Sequence, residues 1–558
     1  YAASRPACTH ALCWAHTRRA FLKAEAIDPK PVAQALEMIR ALYAIERELR
    51  EAGASEATIL ARRTSDSTPI VDQFFAWVAE QIADPLIRDH FRVYVADKIQ
   101  RAKADVIRFA STPGLLGKTA AFHLERYETA QNFFEDGIGA DPLGALAALE
   151  AAGHIEIATS AATHGYLPLL RDEAAIRFQI EAGVASHTKN FGRKPRSFWL
   201  PECAYKPGLE RFLEDAGIKV FFVETHLVTG GAARGKALGG MVGPYPELEQ
   251  RDPTRPVRLE PHTGTTFRPY YVGDSRVSVL ARNERTGLQV WSAANGYPGD
   301  GAYREFHRKD AVSGLQYWRV TGPGADLGNK AEYDPEVASL RAVQHAQHFR
   351  EVVKSELFAY ENGTFASGVH DRGSVLASYD TELFGHWWME GVLWLENVIR
   401  NLAADKDVDL ISASKLVLDQ PPTESIALPE GSWGGGGDHR TWLNDETAWT
   451  WPAIYQRQAR AATLLAVSNA ATKQLARELL LLQASDWQFL MTTGQARDYA
   501  IERFNSHAER FDRLADAIET RDPNLGALLK EYEWLDNPFP GLDPLSYRGR
   551  AEKAKVAR

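Results

Sequence analysis

The stretch Ser197-Phe198-Trp199-Leu200-Pro201-Glu202-Cys203-Ala204-Tyr205, the segment Pro207 to Ala216 after it, and then Ile218-Lys219-Val220-Phe221-Phe222-Val223 decide the fold class. The two ends are short apolar runs of strand type. The segment between them carries Leu209, Phe212 and Leu213 on one helical face. Strand, helix and strand in so short a span read as parallel strands joined by a crossover helix. The same texture extends outward. His154-Ile155-Glu156-Ile157-Ala158 lies upstream; Arg276-Val277-Ser278-Val279-Leu280 and Ser374-Val375-Leu376-Ala377-Ser378-Tyr379 lie downstream. The fold class is therefore α/β, and in a closed barrel of this kind the chemistry sits where strands end.

Outside this region the pattern is helical. In residues 1 to about 80, Pro31 suits a first turn, Val32, Leu36, Ile39 and Tyr43 recur at helical spacing, and Gly53 is a stop. Residues 84–150 are helical again, punctuated by Pro113-Gly114 and Gly137-Ile138-Gly139. Residues 227–275 are rich in Gly and Pro and weakly periodic, which marks a long functional excursion. Gly434 to Gly437 form a four-glycine loop, and 455–532 is an Ala/Leu-rich helical stretch expected to form its own unit.

The composition of the 558 residues, 45% hydrophobic and 25% charged, excludes a wholly disordered, collagen-like or membrane-spanning chain. No apolar run reaches the ~18 residues of a membrane helix. The net charge of −9 argues against a nucleic-acid partner, and residues 1–80 are electrically balanced. Three cysteines, Cys8, Cys13 and Cys203, do not make a disulfide framework and point to a reducing compartment. The chain opens Tyr-Ala-Ala-Ser-Arg-Pro, with neither a starting Met nor an apolar signal segment, and a cytoplasmic location is expected. Two motifs are decoys. Gly230 to Lys236 has GxxxxGK spacing, but Ala237 stands where a phosphate loop needs Ser or Thr, and no helix pattern follows. Cys8, His10, Cys13 and His16 are spaced too tightly for a zinc site. No metal and no organic cofactor are expected.

The chemical signal is acidic. Glu202 follows one short apolar strand, and Asp380, in Ala377-Ser378-Tyr379-Asp380-Thr381-Glu382-Leu383-Phe384-Gly385-His386-Trp387-Trp388, follows another. Ten of the 14 Trp lie between Trp199 and Trp451, where they either pack a core or offer flat faces to sugar rings. Two carboxylates among aromatics fit glycoside chemistry: one attacks the sugar carbon, and the other, kept protonated by a desolvated site, protonates the leaving oxygen. The bland alternative is that each carboxylate caps a helix or pairs with an Arg.

From about residue 81 onward the chain resembles glycoside hydrolase family 57, and within it the 1,4-α-glucan branching enzymes. The resemblance rests on Gly153 to Ala158 with Thr163 to Pro168, on Trp199 to Tyr205, on Thr286 to Ser292 with Gly296 to Asp300, on Ala377 to Trp388, and on Gly431-Ser432-Trp433 with Gly437 to Asn444. It implies Glu202 as nucleophile and Asp380 as general acid/base of a retaining reaction. It implies glucan subsites lined by His164, Trp291, Trp433 and Trp442. The partner it implies is an α-1,4-glucan such as amylose or a glycogen-like polymer; oligomeric state is not legible. Branching further implies a loop over the site with a Tyr near its tip; residues 227–275 hold that place, and Tyr245 is the candidate. Gly435 departs from the Glu that such enzymes usually carry, which shifts the balance from transfer towards hydrolysis. An α-glucan hydrolase or 4-α-glucanotransferase of the same family is the alternative.

Members of the family begin with a strand bearing a His-x-His-Leu-Pro type motif, and this chain carries none. Residues 8 to about 78 resemble instead an internal piece of an insertion-sequence-66 type transposase, on Cys13 to Phe21 and Ile39 to Glu48. The expectation is an incomplete seven-stranded β/α barrel whose first strands are replaced by a helical segment, with an α-helical C-terminal domain. The expected boundaries are 1–80 for the transposase-like remnant, 81–425 for the truncated barrel with its loop insertion 227–275, and 426–558 for the helical domain. On this plan a catalytically dead glucan-binding fusion product is the competing function of another class, and a DNA-associated product is the least favoured.

Overall fold

The computed structural model describes residues 85–232, 258–259, 264–291, 296–322, 324–368 and 371–548. The chain divides into two compact units, Tyr1–Gln100 and Arg101–Arg558. The expected remnant 1–80 lies outside the described residues, as does Tyr245. The first described helix, α1 (Pro85–Phe109), crosses the division, and α2 (Leu116–Asn132) and α3 (Pro142–Ala151) follow it. In the second unit, Asp105 of α1 accepts from the Tyr317 hydroxyl at 2.6 Å, and Arg108 pairs with Asp310 at 2.6 Å.

Strands and helices then alternate: β1 (Thr159–Ser160), α4 (Glu173–Phe191), β2 (Ser197–Trp199), α5 (Leu209–Ala216), β3 (Val220–Val223) and α6 (Thr225–Thr229). A two-stranded antiparallel ribbon, β4 (Gly231–Ala232) and β5 (Arg258–Leu259), leads to β6 (Tyr270–Val272), β7 (Ser278–Ala281) and α7 (Glu284–Trp291). The long α8 (Pro335–Ala366), α9 (Gly391–Ala403), α10 (Ala413–Asp419) and β8 (Ser425–Ile426) complete the middle of the chain. Five helices end it: α11 (Thr450–Leu464), α12 (Ala470–Leu482), α13 (Asp486–Thr493), α14 (Arg497–Thr520) and α15 (Leu525–Leu535).

The sheet is mixed, with order β1-β2-β3-β7-β6-β8. β1, β2, β3 and β7 run parallel, in a register that sets Ser160 beside Trp199, Phe198 beside Phe221, and Val223 beside Ala281. β6 is antiparallel to β7. The crossover between β2 and β3 follows the expected physics: α5 buries Leu209, Phe212 and Leu213 and stops at Gly217, whose φ of +87° a residue with a side chain rarely adopts. One hydrophobic core joins the sheet residues Phe198, Leu200 and Phe221 to Leu475, Leu479 and Phe511 of the terminal helices. A second core gathers Tyr297, Tyr303, Phe349, Trp388 and Trp394.

Three expectations change. His154–Ala158 is not a strand; the Ile157 amide donates to Glu150 Oε1 at 2.9 Å instead of to a neighbouring strand, and pairing starts at Thr159. Ser374–Tyr379 forms only a single parallel bridge, Leu376 to Arg282. Part of the 227–275 excursion, Tyr270–Val272, belongs to the sheet because it bonds β7 on one side and β8 on the other.

Helix α4 lies so close to β1 that a Cβ on Gly183 would sit 2.0 Å from the Ser160 carbonyl oxygen, while Thr159 Oγ1 donates to the Gly183 carbonyl at 3.0 Å. Backbone cannot yield there as a flexible side chain could. Gly183→Ala is expected to cost at least about 1–3 kcal/mol and to lower the urea midpoint; an unchanged midpoint would refute this packing.

Candidate active site

Because β1, β2, β3 and β7 are parallel, the residues that follow each of them emerge on one edge of the sheet. These are Ala161 to His164, Leu200 to Glu202, Glu224 to His226, and Arg282 with Asn283. The bridge of Arg282 to Leu376 is also parallel, so the segment Ala377 to Asp380 leaves on that same edge. The two carboxylates singled out from sequence therefore share one end of the sheet.

Glu202 lies in a left-handed backbone conformation, φ 61°, ψ 25°, and Cys203 follows at φ 49°. A non-glycine residue takes this conformation at a cost that its surroundings must cover. They do so here through the segment 431–433. Tyr205 and Gly431 exchange both backbone hydrogen bonds, at 2.8 and 3.0 Å, and the Trp433 amide donates to the Glu202 carbonyl at 3.0 Å. The indole Nε1 of Trp433 then donates to Glu202 Oε2 at 2.5 Å. The Glu202 side chain retains 17% of its surface, and His164 Nδ1 lies 4.0 Å from its Oε1.

His164 is also left-handed, at φ 56°. Its carbonyl accepts from the Ser485 amide at 3.2 Å, and Nδ1 shares a 2.9 Å hydrogen bond with Ser485 Oγ. Beneath them Tyr166 stacks on Trp442 with centroids 4.3 Å apart, and its hydroxyl bonds His439 Nδ1 at 2.8 Å. Burial holds the Tyr166 hydroxyl well above its ordinary pKa, with the charge of Glu202 adding to the effect. Trp433 is 5% exposed and Trp442 only 1%. Trp442 therefore props Tyr166 from below and has almost no free face.

On the other flank Asp380 precedes a 3₁₀ turn, Thr381–Leu383, whose Leu383 is buried in the second core. Tyr379 and the half-buried Trp291, last residue of α7, pack against that core as well. The Tyr379 hydroxyl donates to the Thr286 carbonyl at 2.7 Å, which ties the segment to α7. The buried Cys203 thiol reports on both flanks. Burial pushes it well above its ordinary value, Glu224, Glu202 and Asp380 add to the rise, and Arg282 opposes it.

Sequence reasoning missed three contributors. Glu224 and Arg282 form a buried ion pair at 3.0 Å just past the ends of β3 and β7; the signal of a charge directly after an apolar strand was present for both. Ser485 had no signal, since it lies 321 residues from His164. Among the described residues, Glu478, His507 and Asp536 bring ligand-type atoms within 4.8 Å of one another. Arg510 and Arg503 already supply positive charge to Asp536, so this trio is a helix-packing network rather than a metal centre.

A family model described as glycosyl hydrolase family 57 matches residues 77–429, and one described as 1,4-alpha-glucan branching enzyme, C-terminal, matches 453–547. The chain belongs to glycosyl hydrolase family 57. The 1,4-alpha-glucan branching enzyme of Thermococcus kodakarensis is 41% identical over 489 residues, 83% of this chain and 68% of that protein. A probable 1,4-alpha-glucan branching enzyme of Mycobacterium tuberculosis is 32% identical over 73% of this chain and 72% of its own. The crystal structure of the Thermococcus enzyme superposes with a TM-score of 0.74 at 40% identity, covering 84% of this chain and 85% of that one. An α-amylase from Thermotoga maritima gives 0.70 at 27% identity, covering 85% and 88%. A model of the IS66 transposase family matches residues 1–115, further than the sequence suggested and overlapping the family 57 match from residue 77.

In this family 57 chain, Trp442→Ala removes a buried ring on which Tyr166 rests. It is expected to cost about 3–5 kcal/mol in a urea titration. A loss below about 1 kcal/mol would mean that the ring is not part of the core.

Proposed function

We propose that the chain is a retaining 1,4-α-glucan branching enzyme. Glu202 attacks the anomeric carbon of an α-1,4-linked glucose unit while Asp380 donates its proton to the leaving 4-oxygen. The C–O bond to the leaving chain breaks and a glycosyl ester on Glu202 forms. Asp380, now a carboxylate, takes the proton from a 6-hydroxyl of an acceptor chain, whose oxygen displaces Glu202 to give an α-1,6 link. Retention by this route calls for carboxyl groups about 5–5.5 Å apart.

The observation that carries the reading is the pair of carboxylates on loops leaving the same strand ends of the parallel part of the sheet, one of them held by a buried indole N–H. The branching enzymes among the relatives support the same direction. His164 and Trp291 are assigned to glucan contact, Trp433 to holding the nucleophile, and Tyr245 to the loop that favours an acceptor hydroxyl over water. No metal or organic cofactor enters these steps, and a cytoplasmic site of action suits a soluble glucan.

We further read the sheet as an incomplete seven-stranded barrel. The support is that β1 bonds only β2 among the described strands, and that a transposase family match stands where the first strands would be. On this reading residues 1–80, 81–425 and 426–558 are the remnant, the truncated barrel with its loop, and the helical domain. The same open edge favours a second reading, a glucan-binding chain without turnover.

Incubation with amylose, followed by reducing-end counting and enzymatic debranching, tests both. The branching reading predicts α-1,6 links, lost to background in Glu202→Gln and reduced roughly 100- to 10,000-fold in Asp380→Asn. New reducing ends without α-1,6 links would make the chain a hydrolase. Amylose retention on a column with neither product would support the non-catalytic reading.

A further inference from the structure

Arg282 is the one buried cation set among the strand ends just described, and the steps above leave it without a task. It stands one residue past β7, with 7% of its surface exposed. Its Nη1 donates to Glu224 Oε2 at 3.0 Å. Its guanidinium lies 5.5 Å from the centroid of the Trp433 ring, within cation–π range. The backbone at Arg282 and Asn283 ties three loops together. The Arg282 amide donates to the Val223 carbonyl at 2.9 Å, its carbonyl accepts from Thr225 Oγ1 at 2.6 Å, and the Asn283 amide donates to the Leu376 carbonyl at 2.9 Å. Gly287 keeps α7 close to it, since a Cβ there would meet Nη2 at 3.0 Å. Among the described residues the buried Arg282 Nε–H has no hydrogen-bond partner, and Glu224 and the indole face are what fix the head group.

We propose that Arg282 is a positioning residue for the reaction: clamped by Glu224, it holds the Trp433 ring that bonds Glu202 and anchors the strand end that leads to Asp380. The inference rests on Glu202 and Asp380 being the reacting pair. The Arg282 side chain meets the Glu202 flank through the Trp433 ring, and the backbone at 282–283 meets the Asp380 flank through Leu376; the two flanks are built on different hydrophobic cores. The Arg282 charge is felt at the Cys203 thiol and the Tyr379 hydroxyl, the neighbours in sequence of the two carboxylates. The other charged or titratable groups around it are Glu224 and His226 past β3, Glu202 and Cys203 past β2, Tyr379 and Asp380 past the Leu376 bridge, and Arg285 of α7 with Glu356 of α8.

The sign of the effect distinguishes positioning from packing. Removing a cation near a carboxylate disfavours its charged form and raises its pKa; removing an anion lowers it. The acid limb of the rate profile follows ionised Glu202, and the alkaline limb follows protonated Asp380. Arg282→Met is expected to lower kcat on amylose roughly 10- to 100-fold, with KM changed less than about threefold, and to move both limbs to higher pH. Glu224→Gln is expected to move them to lower pH, and Arg282→Lys to restore the limbs while kcat stays below wild type. Unmoved limbs in both Arg282→Met and Glu224→Gln, or a wild-type kcat in Arg282→Met, would overturn the proposal. If Arg282→Met does not fold, Glu224→Gln and Arg282→Lys decide it by the same limbs. Full activity in Glu202→Gln would instead remove the reading of the reacting pair itself.

Discussion

Glu202 stands in a backbone conformation that its own side chain disfavours, and the site depends on what holds it there. Two successive left-handed residues, Glu202 and Cys203, cost about 1–3 kcal/mol each. The returning segment 431–433 offsets this with three backbone hydrogen bonds and the indole bond to the carboxylate, each worth about 1 kcal/mol and more where a charge is involved. The four-glycine loop makes that return possible. A Cβ on Gly431 would lie 2.8 Å from the Gly437 carbonyl oxygen, and one on Gly434 would lie 2.6 Å from the Trp442 ring. The chain can fold over Glu202 only because those positions carry no side chain.

The rest of the site follows from parallel register. Four neighbouring parallel strands and one parallel bridge deliver His164, Glu202, Glu224, Arg282 and Asp380 to a single edge without any long-range design beyond the sheet itself. The helices fix this edge from outside. Ser485, between α12 and α13, locks His164, and the sheet shares its main core with the terminal helices. Loss of those helices would therefore loosen the His164 side of the site as well as the hydrophobic core.

Much of this was legible in the residues. The Phe198 and Phe221 strands, the amphipathic Leu209–Ala216 helix and the acidic residue after each apolar run depend on local pattern, and local pattern is what a sequence displays. The strand expected at His154–Ala158 failed because a side chain, Glu150, captured the backbone donor of Ile157. The strand expected at Ser374–Tyr379 shrank to one bridge because only Leu376 meets Arg282. Trp442, read as a subsite face, is covered by Tyr166, a partner 276 positions away that no periodicity announces. Arg282 and Glu224 were visible as charges after strands, but their pairing is a fact of register and could not be read before β3 and β7 were set side by side.

In the proposed mechanism Glu202 carries the glucosyl group and every other group supports it. Trapping measures this directly: incubate the protein with a 5-fluoro-α-glucosyl fluoride, quench, digest and sequence the labelled peptide by mass spectrometry. The account predicts one glucosyl adduct, on Glu202, formed slowly or not at all when Trp433 is replaced by Phe. An adduct on Glu224 or on Asp380, or catalytic turnover of amylose by a protein that never acquires the Glu202 adduct, would contradict it.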